Sequence, residues 1–158
     1  MKIVQGIKYI YGENLAETVG IVQDYLGMTF EYSLTKEVTI NMWDYQRKFI
    51  KEFPEEITGV CATPASDHLF KVQEDGRKLS KELAEVFYHT VYQLLFAANR
   101  EKRDIQMAVS FLTTRVKAPD QDDWGKLVRV LKYLNGTRYM KLILSTDKMK
   151  PPKNSKKL

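Results

Sequence analysis

The sequence contains one cysteine, Cys61, and no long apolar run. A single cysteine excludes an internal disulfide and a cysteine-based zinc cluster, and it fits a reducing compartment. No stretch approaches the roughly 18 apolar residues of a membrane span, and residues 1–6 lack the layout of a signal peptide. We therefore expect an intracellular protein, cytoplasmic or nuclear, that is not secreted and does not enter a membrane.

Signatures of enzyme chemistry are also scarce. The chain has no glycine-rich phosphate loop and no nucleophile elbow. Its two histidines, His68 and His89, show no spacing that suggests a shared metal, so structural roles are favoured for both. The adjacent aspartates Asp122 and Asp123 follow a predicted helix start, where carboxylates stabilise the first turn. We therefore assign no catalytic residue and no metal ligand.

Positive charge is concentrated at the C-terminus. The formal net charge is +5, and residues 145–158 contain five lysines and one aspartate. Residues 1–144 therefore carry a net charge of only +1. A nucleic-acid surface on the folded part would have to come from the arrangement of its charges. The composition of residues 145–158 predicts a disordered basic tail.

Two amphipathic helices are predicted within residues 104–144. The apolar residues of the first recur at i, i+3, i+4 and i+7, and those of the second follow the same spacing from Trp124. Asp120 is the expected N-cap of the second helix, and Gly136 its left-handed C-cap. The apolar positions are Ile105, Ala108, Val109 and Leu112, then Trp124, Leu127, Val128, Leu131 and Leu134. Three basic residues, Lys126, Arg129 and Lys132, are expected roughly 170° away on the opposite face.

Helical spacing also predicts helices over residues 3–11, over residues 43–53, and from Ser80 to about residue 99. Alternating residues predict a β-hairpin over 26–42, and residues 139–144 a short strand. Residues 13–20 read as a short loop or weak strand. Residues 54–79 show no period, which is typical of a functional surface or an extended wrap. The spacing of Tyr88, Tyr92 and Phe96 favours core packing, or a hidden contact with a neighbouring part of the fold, over base stacking.

The residue identities, and not only their periodicity, are informative in one long segment. Residues 103–137 read RDIQMAVSFLTTRVKAPDQDDWGKLVRVLKYLNGT, which resembles the C-terminal part of the reverse transcriptase of Ty1/copia-type retrotransposons. Shorter matching stretches lie upstream, at residues 25–28, 53–57, 62–65, 67–72 and 89–91. Together the resemblance covers roughly residues 1–145.

The resemblance implies a fold and a parent activity. The expected fold is α+β and mainly helical, a β-hairpin with a helical thumb and connection bundle. Residues 1–42 would form the end of the palm, residues 43–144 the thumb and connection helices with the first strand toward a missing RNase H domain, and residues 145–158 the tail. The parent activity is RNA-directed DNA polymerisation, in which a Tyr-x-Asp-Asp motif holds divalent metal ions, Mg²⁺ in the intact family. That motif does not occur in this chain. We therefore expect no cofactor here and no activity from the chain alone.

The resemblance also implies candidate residues for binding an RNA/DNA template-primer duplex. Tyr25, Leu26 and Gly27 are similar to the primer grip, where a glycine lets the backbone approach the primer strand. The candidates for phosphate contact are Lys48, Lys51, Lys126, Arg129 and Lys132, with a solvated helix face as the alternative. Without the rest of the palm, the hairpin, the strand at 139–144 and the Ile7 face of the first helix would be uncovered, so self-association is possible.

Three hypotheses remain open at this stage. The chain is a truncated retrotransposon remnant with weak, salt-sensitive nucleic-acid binding, or a retained module that binds nucleic acid or protein without polymerase activity. In the third, it is a piece of a longer polyprotein whose upstream part carries the catalytic motif.

Overall fold

The computed structural model describes residues 2–12 and 20–145, leaving aside the side chains of residues 2–4. The helices are α1 (Lys2–Tyr11), α2 (Trp43–Glu52), α3 (Lys81–Arg100), α4 (Gln106–Arg115) and α5 (Gln121–Gly136), with a 3₁₀ helix at Arg103–Ile105 before α4. The strands are β1 (Val22–Tyr25), β2 (Met28–Tyr32), β3 (Glu37–Asn41) and β4 (Leu142–Ser145). This is the α+β, mainly helical architecture that the sequence predicts. The loop predicted at residues 13–20 and the predicted tail lie almost wholly outside the described residues, apart from Gly20 and Ser145.

The strands form one antiparallel sheet in the order β1-β2-β3-β4. The predicted hairpin is present as β2 and β3, with Phe30 opposite Ile40. The sequence did not indicate β1, which pairs with β2 across a two-residue turn. The strand predicted at 139–144 was expected to have unpaired edges, and this is wrong for one edge only, because β4 is the last strand of the sheet and its other edge has no partner strand within the described residues. Its ordered part pairs with β3, placing Leu144 opposite Val38. The sheet therefore joins residues that lie about a hundred positions apart in the chain.

The hydrophobic core lies among α2, α3, α4 and α5. The apolar faces predicted for α4 and α5 are buried, apart from Val128, which is partly buried against the core. On α3, Phe87, Val91, Leu94 and Ala98 are fully buried, and Leu83 is partly buried against the core. Burying large apolar side chains at roughly 1.5–3 kcal/mol each makes this bundle the main source of stability.

The residues predicted as N-caps, Ser80 and Asp120, cap the starts of α3 and α5. Ser80 Oγ accepts from the Leu83 N–H at 3.3 Å at the start of α3. Asp120 forms a capping box with Asp123 at the start of α5. The predicted left-handed cap at Gly136 is wrong, because α5 includes this residue and ends on Thr137 without a positive φ. A Cβ on Gly136 would lie only 3.0 Å from Val60 Cβ. The glycine is therefore needed because the loop that carries Val60 packs directly against α5 at this position.

Residues 54–79 form an extended wrap over the bundle, as their lack of period predicts. Leu69 is buried, and Ile57, Cys61, Ala65 and Leu79 pack against the core. Glu55 accepts from the indole N–H of Trp124 at 2.7 Å, which fixes the start of the wrap on α5.

Several apolar side chains are exposed. On α1, Ile10 and Tyr11 are more than 70% accessible, in agreement with the uncovered face that was predicted. Of the two roles predicted for Tyr88 and Tyr92, packing in the core is not observed among the described residues, since both rings are over 40% exposed and stack on each other at 4.6 Å, and the hidden contact stays a prediction. Their positions on α3 face away from α4 and α5. Among the helices of the described residues, none combines the length and apolar content needed to cross a bilayer.

Candidate nucleic-acid interface

The predicted primer-grip residues lie at the turn between β1 and β2. Leu26 has φ 50° and Gly27 has φ 74°, so both central residues are left-handed, as in a type I′ hairpin turn. Tyr25 and Leu26 are more than half exposed. A two-residue hairpin leaves the N–H groups of its central residues outside the strand ladder. The turn therefore offers backbone donors to a ligand at an exposed edge of the sheet.

The turn rests on Tyr45 of α2. A Cβ on Gly27 would lie only 3.2 Å from Tyr45 Cδ2, so glycine is required by contact as well as by φ. The Tyr45 ring is held in turn by Phe49 and Phe96, with centroids at 5.6 and 5.2 Å. Burial raises the pKa of Tyr45, and the nearby Arg100 opposes that shift. These contacts fix the position of the turn relative to α2.

Lys48 and Lys51 are exposed on α2. Lys48 follows Tyr45 by three positions, which places it on nearly the same side of the helix as the turn. The neighbouring Arg47 pairs with Asp44 at 3.3 Å, whereas neither lysine has an ion pair within residues 2–12 and 20–145. The Lys48 ammonium is therefore available to a phosphate near the turn, and the Lys51 ammonium to a phosphate further along α2.

Lys126 occupies a different environment from the one the sequence suggests. The residue is 5% exposed, and its ammonium lies 2.7 Å from Asp122 and 2.6 Å from the Lys71 carbonyl oxygen. It also lies 4.9 Å from the Phe111 ring centroid. The expected solvated face is wrong at this position, because the 54–79 wrap covers it. Lys126 joins that wrap to α5, and its charge is already neutralised.

Arg129 and Lys132 are partly exposed. Arg129 donates from Nη2 to Thr63 Oγ1 at 2.9 Å, and its buried Nε has no hydrogen-bond partner within the described residues. A pocket of about 260 Å³ beside it is also lined by Ser66, His68 and Lys126. The structure thus separates the eight predicted residues into two groups. The turn and the α2 lysines Lys48 and Lys51 form one group, and the α5 residues form the other, in which Lys126 and Arg129 contact the wrap and Lys132 is partly exposed on the same helix.

Two charged residues between α3 and the 3₁₀ helix, Glu101 and Lys102, hold the sheet to the bundle. The Glu101 carboxylate accepts from the Met42 N–H at the start of α2. Lys102 Nζ donates to the carbonyl oxygens of Thr137 and Met140 at 2.9 and 2.8 Å. Burial raises the pKa of Glu101 and lowers that of Lys102. Both side chains are at least 96% buried. They fix the β3–α2 and α5–β4 junctions, and with them the sheet that carries the turn.

A second polar contact lies close to this junction. The Tyr133 hydroxyl donates to Asp104 Oδ2 at 2.5 Å and connects α5 with the 3₁₀ helix. Burial and this hydrogen bond raise the pKa of Tyr133 to about 12. Charged residues buried between elements leave no periodic signal in the sequence, which is why these contacts were not anticipated.

The divalent metal implied by the resemblance finds no matching ligands in the described residues. They bring together no group of three or more histidine, cysteine, aspartate or glutamate side chains suited to a metal ion. Asp123, one of the two adjacent aspartates, is committed elsewhere, since it accepts from Arg115 Nε at 3.0 Å and from the Asp120 N–H at 3.1 Å. We assign no metal-dependent step to these residues.

Comparisons with known proteins give one informative match. The chain is 30% identical over 126 residues to the Saccharomyces cerevisiae protein named "Putative transposon Ty5-1 protein". The match covers 77% of this chain but only 39% of that protein, so the chain spans less than half the length of the relative. No family model matches the chain. No solved structure gives a significant match. The similarity supports a retrotransposon-related origin for the chain.

Proposed function

We propose that this chain is the palm-end, primer-grip and thumb part of a Ty1/copia-type reverse transcriptase. We further propose that it binds the backbone of an RNA/DNA template-primer duplex and is not a polymerase by itself. The observation that carries the proposal is the exposed Leu26–Gly27 turn, seated on Tyr45 beside Lys48. The similarity to a transposon protein supports the same origin.

The chemistry of the turn suits a phosphate backbone. Free backbone N–H groups donate to phosphate oxygens without reading sequence, and a glycine keeps side-chain bulk out of the way. Lys48 and Lys51 add two positive charges that release counterions when they meet phosphates. The α5 residues contribute less directly, since Lys126 is neutralised by Asp122. Arg129 and Lys132 remain candidate contacts at the edge of the wrap.

Binding is tested by fluorescence anisotropy with a labelled RNA/DNA hybrid. We expect the Lys48→Gln/Lys51→Gln double variant to bind several-fold more weakly than the parent chain, because two phosphate contacts are lost. Lys117→Gln is the matched control, since Lys117 is exposed on the α4–α5 connection, away from the turn. Lys117→Gln removes one charge and the double variant two, so a control loss of half the binding free energy lost in the double variant would show that only net charge matters and would contradict the proposed interface.

The tail requires its own control. Changing the five tail lysines, Lys148, Lys150, Lys153, Lys156 and Lys157, to glutamine removes the whole formal net charge of +5 without touching the described fold. We expect the hybrid to bind this variant more weakly but still in a manner that depends on Lys48 and Lys51. Binding that disappears completely would assign the interaction to the tail. A primer-extension assay with Mg²⁺ is expected to show no product, and any extension would overturn the non-catalytic part of the proposal.

A second candidate role is self-association, favoured by the exposed apolar groups on α1 and β1. Ile10, Tyr11, Val22 and Tyr25 are all more than half exposed, and β1 is an edge strand within the described sheet. Sedimentation across a concentration series is expected to show a reversible dimer that Ile10→Glu weakens. A chain that stays monomeric at every concentration and melts in one sharp transition would count against this role.

A further inference from the structure

A groove of about 370 Å³ lies between α2 and α3. Its floor is apolar and is made by Phe49, Phe53 and Val86. Phe49 and Phe53 are 3% and 7% exposed, and the Phe53 ring stacks on Trp124 with centroids 4.9 Å apart. Because these rings belong to the core, the floor is held in place before any ligand arrives. Neither the resemblance nor the proposed nucleic-acid interface uses this groove.

The rim of the groove is acidic. Glu52 lies on the α2 side, and Glu82 and Glu85 lie one turn apart on α3. Hydrogen bonds from its own backbone N–H and from Ser80 lower the pKa of Glu82. Glu85 lies 3.9 Å from His89, and both side chains are about two-thirds exposed. No lysine or arginine within the described residues lines the groove. The rim therefore presents three carboxylates to solvent above an apolar floor.

An unused hydroxyl lies deep in the groove. Thr90 is 5% exposed and lines the cavity. A threonine inside a helix usually donates to the carbonyl three or four residues earlier, as Thr113 and Thr114 do in α4. The Thr90 hydroxyl makes no hydrogen bond to any residue in 2–12 or 20–145. Thr90 Oγ1 is not among the fully buried, unpaired side-chain atoms of the described residues, so it reaches the solvent in the groove and is available to a ligand that enters there.

We infer that the groove binds an extended segment of a partner protein in which arginine or lysine alternates with apolar residues. Successive residues of an extended segment point to opposite sides, so its apolar side chains face the floor, and its long basic side chains start on the other side and are flexible enough to bend down to the rim. Here their charged ends meet the three rim carboxylates in charge-assisted hydrogen bonds. Apolar side chains of the same segment enter toward the phenylalanine floor, and the Thr90 hydroxyl pairs with the peptide backbone.

Charge complementarity excludes a nucleic acid as the occupant of this groove. Three carboxylates repel a phosphate backbone, and the two lysines proposed to bind the duplex, Lys48 and Lys51, do not line the cavity. Helix α2 therefore contributes residues to both proposed sites, Glu52 to the groove and Lys48 and Lys51 to the nucleic-acid interface. The inference stands independently of the nucleic-acid proposal.

The test uses the full chain and two fluorescein-labelled peptides. One peptide has three Arg-Leu repeats and the other three Arg-Ser repeats, so they carry the same charge but differ in apolar content. We expect the leucine peptide to bind more tightly. Changing both Glu52→Gln and Glu85→Gln should weaken it about tenfold, since two partly shielded charge contacts are lost. The matched control is Glu56→Gln with Glu74→Gln, two exposed glutamates outside the groove.

Thr90→Val and the tail-lysine variant measure how much the Thr90 hydroxyl and the tail each affect peptide binding. Thr90→Val keeps the volume and removes the hydroxyl, so we expect a several-fold loss of affinity and a retained thermal transition. Equal binding of the leucine and serine peptides would overturn the inference, because it would show diffuse attraction alone. Equal binding by the Glu52/Glu85 variant and its control would do the same. An affinity that appears only after the tail lysines are replaced would also overturn it, since the occupant would then be the chain's own residues 146–158.

Discussion

Gln46 donates from Nε2 to Glu101 Oε2 at 2.8 Å, although the two residues lie 55 positions apart. The same oxygen accepts from the Met42 backbone N–H at 3.0 Å, at the start of α2. Gln46 and the Glu101 side chain are at most 1% exposed. This one carboxylate oxygen therefore fixes the junction between the sheet and the helical bundle.

We expect Glu101→Ala to lower the free energy of unfolding by about 3 kcal/mol. The change removes the acceptor for two buried donors and leaves the buried Lys102 without its neighbouring carboxylate. Urea denaturation measures the loss. The control is Glu74→Ala at an exposed turn position, where the change should be below about 0.5 kcal/mol. Similar losses in both variants would contradict the role assigned to Glu101.

The free energy of unfolding should depend on pH because the Glu101 carboxyl group titrates differently in the folded and unfolded states. Burial is the main cause that raises the pKa of Glu101 above its ordinary value of 4.5. The folded state then holds its proton more tightly than the unfolded state does. Its contribution to stability is therefore fully present below pH 4.5 and falls as the pH rises through the raised pKa.

Comparison with Glu101→Gln isolates that effect, because glutamine does not titrate. We expect the stability of the parent chain relative to Glu101→Gln to be greater at pH 4.5 than at pH 7. Urea midpoints at the two pH values measure it. A relative stability that rises with pH would show that the partners of the carboxylate outweigh its burial.

Two glycines separate backbone strain from side-chain contact. Gly27 and Gly59 have nearly equal φ values of 74° and 75°, but only Gly27 has a neighbour, Tyr45, within 4 Å of the added Cβ position. We expect Gly59→Ala to cost about 1 kcal/mol from the left-handed backbone alone. Gly27→Ala should cost more, because the Tyr45 ring must also move. Equal thermal destabilisation of the two variants would contradict the close seating of the turn on α2.

A buried and an exposed Arg–Asp ion pair should contribute very different amounts to the free energy of unfolding. Arg115 Nε lies 3.0 Å from Asp123, and both Asp120 and Asp123 are 1% exposed. Arg115→Met leaves two buried carboxylates without their guanidinium and should cost about 3 kcal/mol or more. Arg47→Met breaks an exposed pair with Asp44 and should cost less than about 0.5 kcal/mol. Chemical denaturation of both variants tests the difference, and comparable losses would refute it.

The local features of this fold could be predicted from the sequence because they depend on neighbouring residues. Ser80 and Asp120 act as helix caps where their side chains can reach the first turn, and the 3.6-residue period identifies the buried faces of α3, α4 and α5. The irregular wrap was likewise expected from its lack of period. Gly27 was singled out through the resemblance, and its turn geometry is consistent with that choice.

Contacts between residues far apart in the chain could not be predicted from the sequence in this way. The pairing of β4 with β3 joins segments separated by about a hundred residues, and no local pattern encodes it. Lys126 has the spacing of a surface residue but is covered by a distant segment that carries the Lys71 carbonyl. Tyr88 has the spacing of a core residue, yet its side of α3 meets no partner within the described residues. In each case tertiary packing, not helical period, decides the environment.

The salt dependence of hybrid binding tests the central claim most directly. The slope of log affinity against log salt counts the phosphates that the protein neutralises, at about 0.9 per contact. We predict that Lys48→Gln/Lys51→Gln lowers the magnitude of this slope by about 1.8, whereas Lys117→Gln leaves it unchanged. A slope that is the same for the parent chain and the double variant would show that the lysines of α2 do not touch the duplex and would contradict the proposed interface.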